Sequence, residues 1–245
     1  MAKAAVLIGL GKSIAELKAE GYLPSNMDGA SLPEETAIAV KAAVLPFARF
    51  RTPEGVVVDS LLSPEMRSTG EVIGLDKHYD TAFAKAQAGA GSPLPTSGKV
   101  FISVANHDKR NVIIYAKMLE SLGFEIVSTG GTAEILRRNG LNSVIVASKF
   151  AEANGDHSIV DMVRNGDIDL ILNTPAGGAA RSDGYEIRAA AVSVGCPVMT
   201  TISEFAAAVQ AINALREHSW DIMSLQEHGV QLAAAVDARS EGGEA

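Results

Sequence analysis

The stretch "FEIVSTGGTAEIL", residues 124–136, contains one complete strand–turn–helix pattern. Its pattern predicts a strand over 124–129, a tight glycine turn, and a helix from about 131 to 139. The N–H groups at such a helix start point outward, and the helix dipole favours negative charge there. Thr129 and Thr132 add hydroxyl donors, so a phosphate is the ligand that best suits the turn. A plain strand-to-helix turn with a capping threonine remains the alternative.

The same alternation of strand and helix extends to both sides of this stretch. Alternating elements of this kind are typical of a parallel sheet with helices on both faces and right-handed crossovers. The predicted fold class is therefore α/β, with a Rossmann-like parallel sheet. The predicted strands also include 99–105, 143–147, 168–173 and 197–201, and the predicted helices include 109–121 and 203–215, the last with Ser203 as N-cap.

The composition changes at residues 88–98, "AGAGSPLPTSG", which predicts an interdomain linker. Before it, helical spacing at 13–20 and 79–90 and extended runs at 37–50 and 55–62 give too little regular structure for an independent fold. The end of the chain is polar and rich in glycine, so a disordered tail is expected. The predicted division is 1–87, the linker 88–98, the α/β domain 99–231 and the tail 232–245.

Charge and composition exclude several classes of protein. Lys and Arg number 21 against 29 Asp and Glu, giving a formal net charge of −8, which disfavours a nucleic-acid binder. No apolar run reaches the roughly eighteen residues of a membrane span. The single cysteine, Cys196, excludes a disulfide framework and favours a reduced, cytoplasmic protein. The histidines show no metal-ligand spacing, so no metal site is predicted.

Polar residues recur at the predicted strand ends. Lys109 is placed in the first turn of a predicted helix, where a cation opposes the dipole and indicates a nearby anion. Lys149 follows another strand, and Asn173 and Thr174 follow a third with glycines close by. Solvent-exposed lysines and a Pro-Gly turn are the alternatives. Because ligands bind outside the carboxyl ends of parallel strands, these side chains are expected to converge on one crevice.

Several segments together resemble a known family. "KVFISVANHDKRN", "STGGTAEILRRNG", "LILNTPAGG", "DGYEIRAAAV" and "PVMTTISEFAAAVQAI" resemble the methylglyoxal-synthase-like domain. "DSLLSPEMRSTGEVIGLDKHYDTAFAKAQAGAGSPLP" resembles the end of the second ATP-grasp unit of the carbamoyl phosphate synthase large subunit, in its actinobacterial form. The resemblance covers most of residues 13–230 in the family's order. It implies a partial ATP-grasp segment followed by an allosteric domain.

This resemblance implies a regulatory role without catalysis in this chain. In the family the allosteric domain binds UMP or IMP as effector, in pyrimidine and arginine biosynthesis. ATP and Mg or Mn would belong to the missing synthetase portion, so no cofactor is expected here. The chain is expected to be a fragment, a split gene product or a stand-alone remnant. Its expected partners are the synthetase portion, the glutaminase small subunit and further copies of itself in a homo-oligomer.

The resemblance also assigns residues. In the family the "TGGT" turn and the two lysines would take the phosphate, and Asn173 and Thr174 would bond the ribose or base. Ala42 and Met199 replace the carboxylates of the family's ornithine site, so ornithine activation is not expected. The positions matching the nucleotide pocket are Lys109, Thr129, Gly131, Thr132, Lys149, Asn173, Thr174, Asp183 and Ile187.

Two other functions remain open. A methylglyoxal synthase-like lyase acting on dihydroxyacetone phosphate needs a carboxylate base, and Asp156 is the candidate. The favoured alternative for Asp156 is the N-cap of the helix that follows it. An oligomerisation scaffold is the third possibility, because "AAAVQAINAL" and "GVQLAAAV" are apolar enough to form helix interfaces.

Overall fold

A computed structural model of the protein describes residues 2–23, 36–47, 70–148, 158–175, 184–217, 220–231 and 234. Its contacts divide the chain into two compact units. The larger unit spans residues 38–222, and the smaller combines 1–37 with 223–245. The larger unit contains the predicted crevice and is the one that bears on function.

In its N-terminal part the smaller unit contains the helices α1 (Ala2–Gly9) and α2 (Ile14–Ala19), and residues 225–231 are also helical. Ser13 caps α2, because its hydroxyl accepts a hydrogen bond from Glu16 N while its own N–H donates to the Glu16 carboxylate at 2.8 Å. This reciprocal arrangement satisfies two N–H groups that the helix leaves unpaired. Leu17 is fully buried in a small apolar cluster. The predicted helix at 13–20 is confirmed, whereas α1 was not predicted.

The larger unit begins with an antiparallel strand pair covered by a helix. Strand β1 (Ile38–Ala43) pairs with β2 (Glu71–Asp76), and α3 (Tyr79–Gly89) follows. At Gly74 of β2 an added Cβ would lie 2.0 Å from Ala82 O, so only glycine permits this close approach of helix and strand. The predictions for β1 and α3 are confirmed, and β2 was not predicted. The strand predicted over 55–62 lies outside the described residues.

A five-stranded parallel sheet forms the centre of the larger unit, in the order β5-β4-β3-β6-β7. The predicted α/β fold with a parallel sheet is therefore confirmed. The strands are β3 (Lys99–Ser103), β4 (Glu125–Ser128), β5 (Ile145–Val146), β6 (Leu170–Asn173) and β7 (Val198–Met199). The helices are α4 (Val112–Ser121), α5 (Gly130–Arg138), α6 (Ile159–Arg164), α7 (Tyr185–Val194) and α8 (Ile202–Glu217).

Both faces of the central strands β3 and β6 are buried, which explains their near-continuous apolar runs. Successive residues of β3 alternate between two core clusters, with Val100 and Ile102 in the first and Phe101 in the second. Residues of α3, α4, α5 and α8 complete the first cluster, and residues of α6 and α7 complete the second. The prediction of helices on both faces follows from this alternation and is confirmed.

The start of α4 differs from the prediction. A 3-10 turn spans Asn106–Asp108, Lys109 follows it, and α4 begins at Val112. Lys109 therefore does not stand in the first turn of α4, and the inference of a nearby anion from its opposition to that dipole is wrong. The turn instead places the lysine ahead of the helix, where its side chain is able to reach a different helix start.

Two predicted helix caps are also wrong. Helix α8 begins at Ile202, and Glu204 N donates to Thr201 Oγ1 at 3.2 Å, so Thr201 rather than Ser203 supplies the capping oxygen. Helix α6 is capped by Ser158, whose side chain accepts a main-chain N–H of the first turn. Asp156, the predicted cap of α6, precedes that position and lies outside the described residues. In both helices the hydroxyl that accepts the capping hydrogen bond belongs to the residue directly before the first helical residue.

The boundary between the two compact units falls at residue 38 rather than at the predicted linker. Leu94, inside 88–98, is buried in the same cluster as Phe83 of α3. The predicted domain limits and the linker role stay predictions, and the predicted tail 232–245 lies almost wholly outside the described residues. No helix in the described part of the chain is long and apolar enough to cross a membrane.

Candidate functional site

A crevice is expected where the connections of neighbouring strands diverge. The chain leaves β3 for α4 on one face of the sheet and leaves β6 for α7 on the other. Such a switch point, at the carboxyl ends of the strands, is where open α/β sheets bind ligands. Among the described residues, several buried polar side chains belong to the ends of β3, β4 and β6 or directly follow them: Ser103, Ser128, Thr132, Asn173 and Thr174.

Two threonines hold the loop that follows β3. Thr174 Oγ1 accepts a hydrogen bond from Ala105 N at 2.8 Å, and Thr174 N donates to Ser103 O at 3.1 Å. Thr132 Oγ1 accepts a longer bond from Val104 N at 3.4 Å. Each hydroxyl acts as an acceptor in these bonds, so each still has a hydrogen to donate. The structure thus brings the predicted residues Thr132 and Thr174 to the same loop.

Thr129 occupies the N-cap position of α5 without capping it. Its backbone is extended, with φ −73° and ψ 152°, and its side chain makes no cap hydrogen bond. Its hydroxyl instead lies 3.1 Å from Ser103 Oγ. The alternative of a plain turn with a capping threonine is therefore wrong for this residue. The two hydroxyls form a polar pair between the ends of β3 and β4.

The two glycines that open α5 are not required by the described fold. A methyl group on Gly130 would meet no atom within 4 Å, and one on Gly131 would meet only Lys109 Nζ, at 3.4 Å. Neither glycine has a positive φ. Glycine in a helix costs about 1 kcal/mol relative to alanine. An open helix start with an ammonium group beside it is the arrangement that an anion would use.

Asn173 is held by two neighbours at the end of β6. It is buried, and its Oδ1 accepts a hydrogen bond from Arg188 Nη1 at 2.7 Å. Its Nδ2 donates to Ser103 O at 3.5 Å. Gly184 has φ +74°, and a methyl group there would lie 2.2 Å from Asn173 Oδ1. Sequence reasoning missed Arg188, although it directly follows Ile187 in the "DGYEIR" segment.

The remaining predicted site residues are less well defined. Ile187 is 2% exposed and lies in the second core cluster, so its packing role is shown and its contact with a ligand stays a prediction. Lys149, Asp156 and Asp183 lie outside the described residues. None of these contacts tests the prediction about ornithine, which stays a prediction. Within the part of the chain that the structure describes, no group of His, Cys, Asp and Glu has the arrangement of a metal site.

The cysteine is protected from chemistry. Burial, with a smaller contribution from the charge of Asp169, raises the pKa of the Cys196 thiol to about 12. Its Sγ donates to Ile168 O at 3.4 Å. Thiolate is the nucleophilic form, so the raised pKa disfavours nucleophilic chemistry of this thiol near neutral pH.

The comparison with protein families identifies part of the larger unit. Residues 111–200 match the profile of the family described as MGS-like domain. The matched stretch runs from the start of α4 past the end of β7. It includes the α5 helix start and the Asn173–Arg188 contact, whereas Ser103 and Lys109 precede it.

Curated relatives match nearly the whole chain. The carbamoyl phosphate synthase large chain of Kocuria rhizophila is 67% identical over 230 residues, 93% of this chain and 21% of that protein. That of Paenarthrobacter aurescens is 61% identical over 241 residues, 97% of this chain and 22% of that protein. The Micrococcus luteus protein is 60% identical over 239 residues, 96% and 22% of the two chains.

The chain spans about a fifth of the length of the curated relatives it matches. Among solved structures, the crystal structure of ForH is similar with a TM-score of 0.36 at 16% identity, covering 60% of this chain and 93% of that one. That likeness is too weak to support an inference.

Proposed function

We propose that this chain, which is similar to carbamoyl phosphate synthase large chains and matches the MGS-like domain over residues 111–200, is a regulatory region that binds a nucleotide through its 5′-phosphate. UMP and IMP are the proposed effectors. The observation that carries the proposal is the start of α5. Two glycines that the described fold does not require lie there beside the Lys109 ammonium group.

The phosphate would be held by the α5 helix start. Main-chain N–H groups at a helix start and the helix dipole both favour an anion. Gly130 and Gly131 leave the backbone open to close approach, and Lys109 Nζ adds a full positive charge at the same place. Bonds to charged groups are stronger than neutral ones, so the lysine should contribute much of the affinity. Lys149, from the neighbouring strand end, is the proposed second cation.

The nucleoside would extend from the phosphate toward the end of β6. Ser103 and Thr129 offer hydroxyls along that path, within hydrogen-bond distance of each other. Thr174 and Asn173 lie next to them, with Thr174 anchored to the β3 loop. Asp183 and Ile187 are the remaining proposed contacts. Hydroxyl and amide groups suit a ribose and a base, which present both donors and acceptors.

We do not assign catalysis to this chain. The proposed synthetase reaction, with its ATP and its Mg or Mn, would take place in the part of the relatives that this chain does not span. Within the described residues, the site offers amides, hydroxyls and an ammonium group, which bind an anion without providing a base. The proposed partners are that synthetase portion, a glutaminase small subunit and further copies of the chain.

A calorimetric titration of the purified chain with UMP, IMP and inorganic phosphate tests the proposal. Lys109→Ala should weaken nucleotide binding at least tenfold, which is about 1.4 kcal/mol. Lys117→Ala is the matched control, because Lys117 is exposed on α4 and should leave affinity unchanged. Equal affinities in the wild type and Lys109→Ala would contradict the proposed phosphate site.

The other two functions are outcomes of the same series. If no nucleotide binds to a folded sample, conversion of dihydroxyacetone phosphate to methylglyoxal should be assayed, with Asp156→Asn as the test of the base. Turnover that is lost in Asp156→Asn would establish the lyase. Absence of turnover together with a stable oligomer that no ligand alters would favour the scaffold.

A further inference from the structure

We infer that Arg188 is a positioning residue that fixes the side-chain amide of Asn173, so that the amide offers an N–H donor to an acceptor oxygen of the base or ribose. The inference rests on the proposed function and deepens it. It assigns a role to a residue outside the predicted site. It also means that the nucleoside must present a hydrogen-bond acceptor to Asn173.

The contact between the two side chains determines which way the amide faces. Arg188 Nη1 donates to Asn173 Oδ1 at 2.7 Å. A guanidinium has only donors, so it can pair with the oxygen of the amide and never with its nitrogen. A hydrogen bond to a charged donor is stronger than a neutral one. The reversed amide would lose this bond and face the guanidinium with its own N–H groups.

Two features of the backbone support the same orientation. Asn173 Nδ2 faces Ser103 O at 3.5 Å, the outer limit of a hydrogen bond, and an amide nitrogen has two hydrogens. Nδ2 therefore keeps capacity to donate to a ligand. On the other side, Gly184 leaves no room for a methyl group, which would lie 2.2 Å from Asn173 Oδ1. The amide oxygen is thus enclosed between Gly184 and Arg188.

This arrangement specifies the chemistry of the ligand group. With its oxygen bonded to Arg188, Asn173 acts toward the ligand as a donor. The matching group is a hydrogen-bond acceptor, such as a carbonyl oxygen of uracil or hypoxanthine or a hydroxyl oxygen of ribose. Inorganic phosphate, held at the start of α5, does not need this contact. Arg188 should therefore affect nucleotide affinity and leave phosphate affinity unchanged.

Calorimetry with UMP and with inorganic phosphate separates these roles. Arg188→Met, which removes the donor and keeps an unbranched chain, should weaken UMP binding about tenfold and leave phosphate binding unchanged. Arg188→Lys, which keeps one donor, should recover part of the loss. Arg138→Met is the control, because Arg138 is exposed and pairs with Glu134 on the surface of α5. Equal losses for both ligands would mean that Arg188 binds phosphate itself, which overturns the inference.

A double-mutant cycle tests whether Arg188 acts through Asn173. Asn173→Ala should weaken UMP binding, and adding Arg188→Met should then cause no further loss. A second full loss in the double variant would refute a positioning role. Asn173→Asp keeps an acceptor for Arg188 but has no N–H to donate. It should therefore weaken UMP binding despite a stronger contact with the arginine.

A readout without nucleotide keeps the inference testable if the proposed function fails. In the full chain with ¹⁵N-labelled asparagine, the side-chain amide signals missing from Asn173→Ala identify residue 173. These signals should shift in Arg188→Met and stay in place in Arg138→Met. Unchanged signals in Arg188→Met would overturn the inference by themselves. A wild type that binds neither nucleotide but shows the shift would refute the proposed function and the donor role, and would retain the positioning contact.

Discussion

Replacing Gly131 with alanine should raise stability and lower nucleotide affinity at the same time. Gly131 is the second residue of α5, and its φ is not in the left-handed region. An added methyl group would lie 3.4 Å from Lys109 Nζ, an ordinary contact with the movable end of a side chain. Alanine in place of a helical glycine contributes about 0.5–1 kcal/mol. For a chain of this size that raises Tm by roughly 1–4 °C.

The effect on binding has the opposite sign. The methyl group would lie 3.4 Å from the ammonium of Lys109, at the helix start where the phosphate is proposed to bind. A phosphate pushed outward loses charge-assisted hydrogen bonds that contribute about 1.5–3 kcal/mol each. UMP affinity should therefore fall at least tenfold, or about 1.4 kcal/mol. Thermal and urea unfolding give the stability change, and calorimetry gives the affinity.

Gly140→Ala is the matched control. Gly140 also has open space around it, but its φ is +97°, a conformation that alanine adopts only with strain. This variant should lose about 1 kcal/mol of stability and keep its UMP affinity, because Gly140 follows the far end of α5. If Gly131→Ala lowers stability, or if it leaves UMP affinity unchanged, the conclusion that a ligand rather than the fold requires this glycine is refuted.

Three further predictions concern the framework of the site. Gly184→Ala, whose methyl would lie 2.2 Å from Asn173 Oδ1, should destabilise the protein by about 1–3 kcal/mol and weaken UMP binding. An unchanged UMP affinity and an unchanged urea midpoint would contradict this prediction. Asp169→Ala removes the acceptor of Lys99 N, at 2.7 Å, and should cost about 1–3 kcal/mol in urea unfolding. Because Asp169 lies at the opposite end of the sheet, UMP affinity should stay constant, and a loss of affinity would show that the two ends are coupled. Burial raises the pKa of the Glu204 carboxyl above 4.5, and the hydrogen bond from Thr200 N lowers it by a smaller amount. The protonated carboxyl is therefore favoured in the folded state. Its contribution to stability is complete below the pKa of the unfolded state and is lost as pH rises through the pKa of the folded state. Glu204→Gln should therefore gain unfolding free energy relative to the wild type as pH rises through this window, and a constant difference would be the contrary result.

The sheet could be predicted from sequence because its strands are buried on both faces. Apolar runs such as those of β3 and β6, with helical spacing between them, indicate parallel strands that are covered by helices. The convergence of Thr132, Asn173 and Thr174 followed from the same reasoning, since the carboxyl ends of parallel strands share one edge. These predictions depend on the spacing of apolar residues along each element, which is visible in the local sequence.

The errors have a different physical origin. Ser158 and Thr201 cap their helices in place of nearby candidates because the first helical residue is decided by tertiary packing, which moves helix starts by a residue or two. Lys109 was placed in a helix because the 3-10 turn before α4 has no distinct pattern of its own. Arg188 was missed because its partner, Asn173, belongs to a different element, and a contact between elements leaves no local signal.

The packing of α3 into the first core cluster affects how this domain could be transferred between proteins. Phe83 and Ala84 of α3 share a core cluster with α8, although both precede the residues that match the MGS-like domain. A gene fusion that moved only the matched residues, 111–200, would leave out α3, β3 and α8 together, and the apolar residues that pack against them would be exposed to water. The heritable module is therefore larger than its recognisable sequence. A host protein that receives it must accept α3, β3 and α8 as well, or provide apolar substitutes from its own chain.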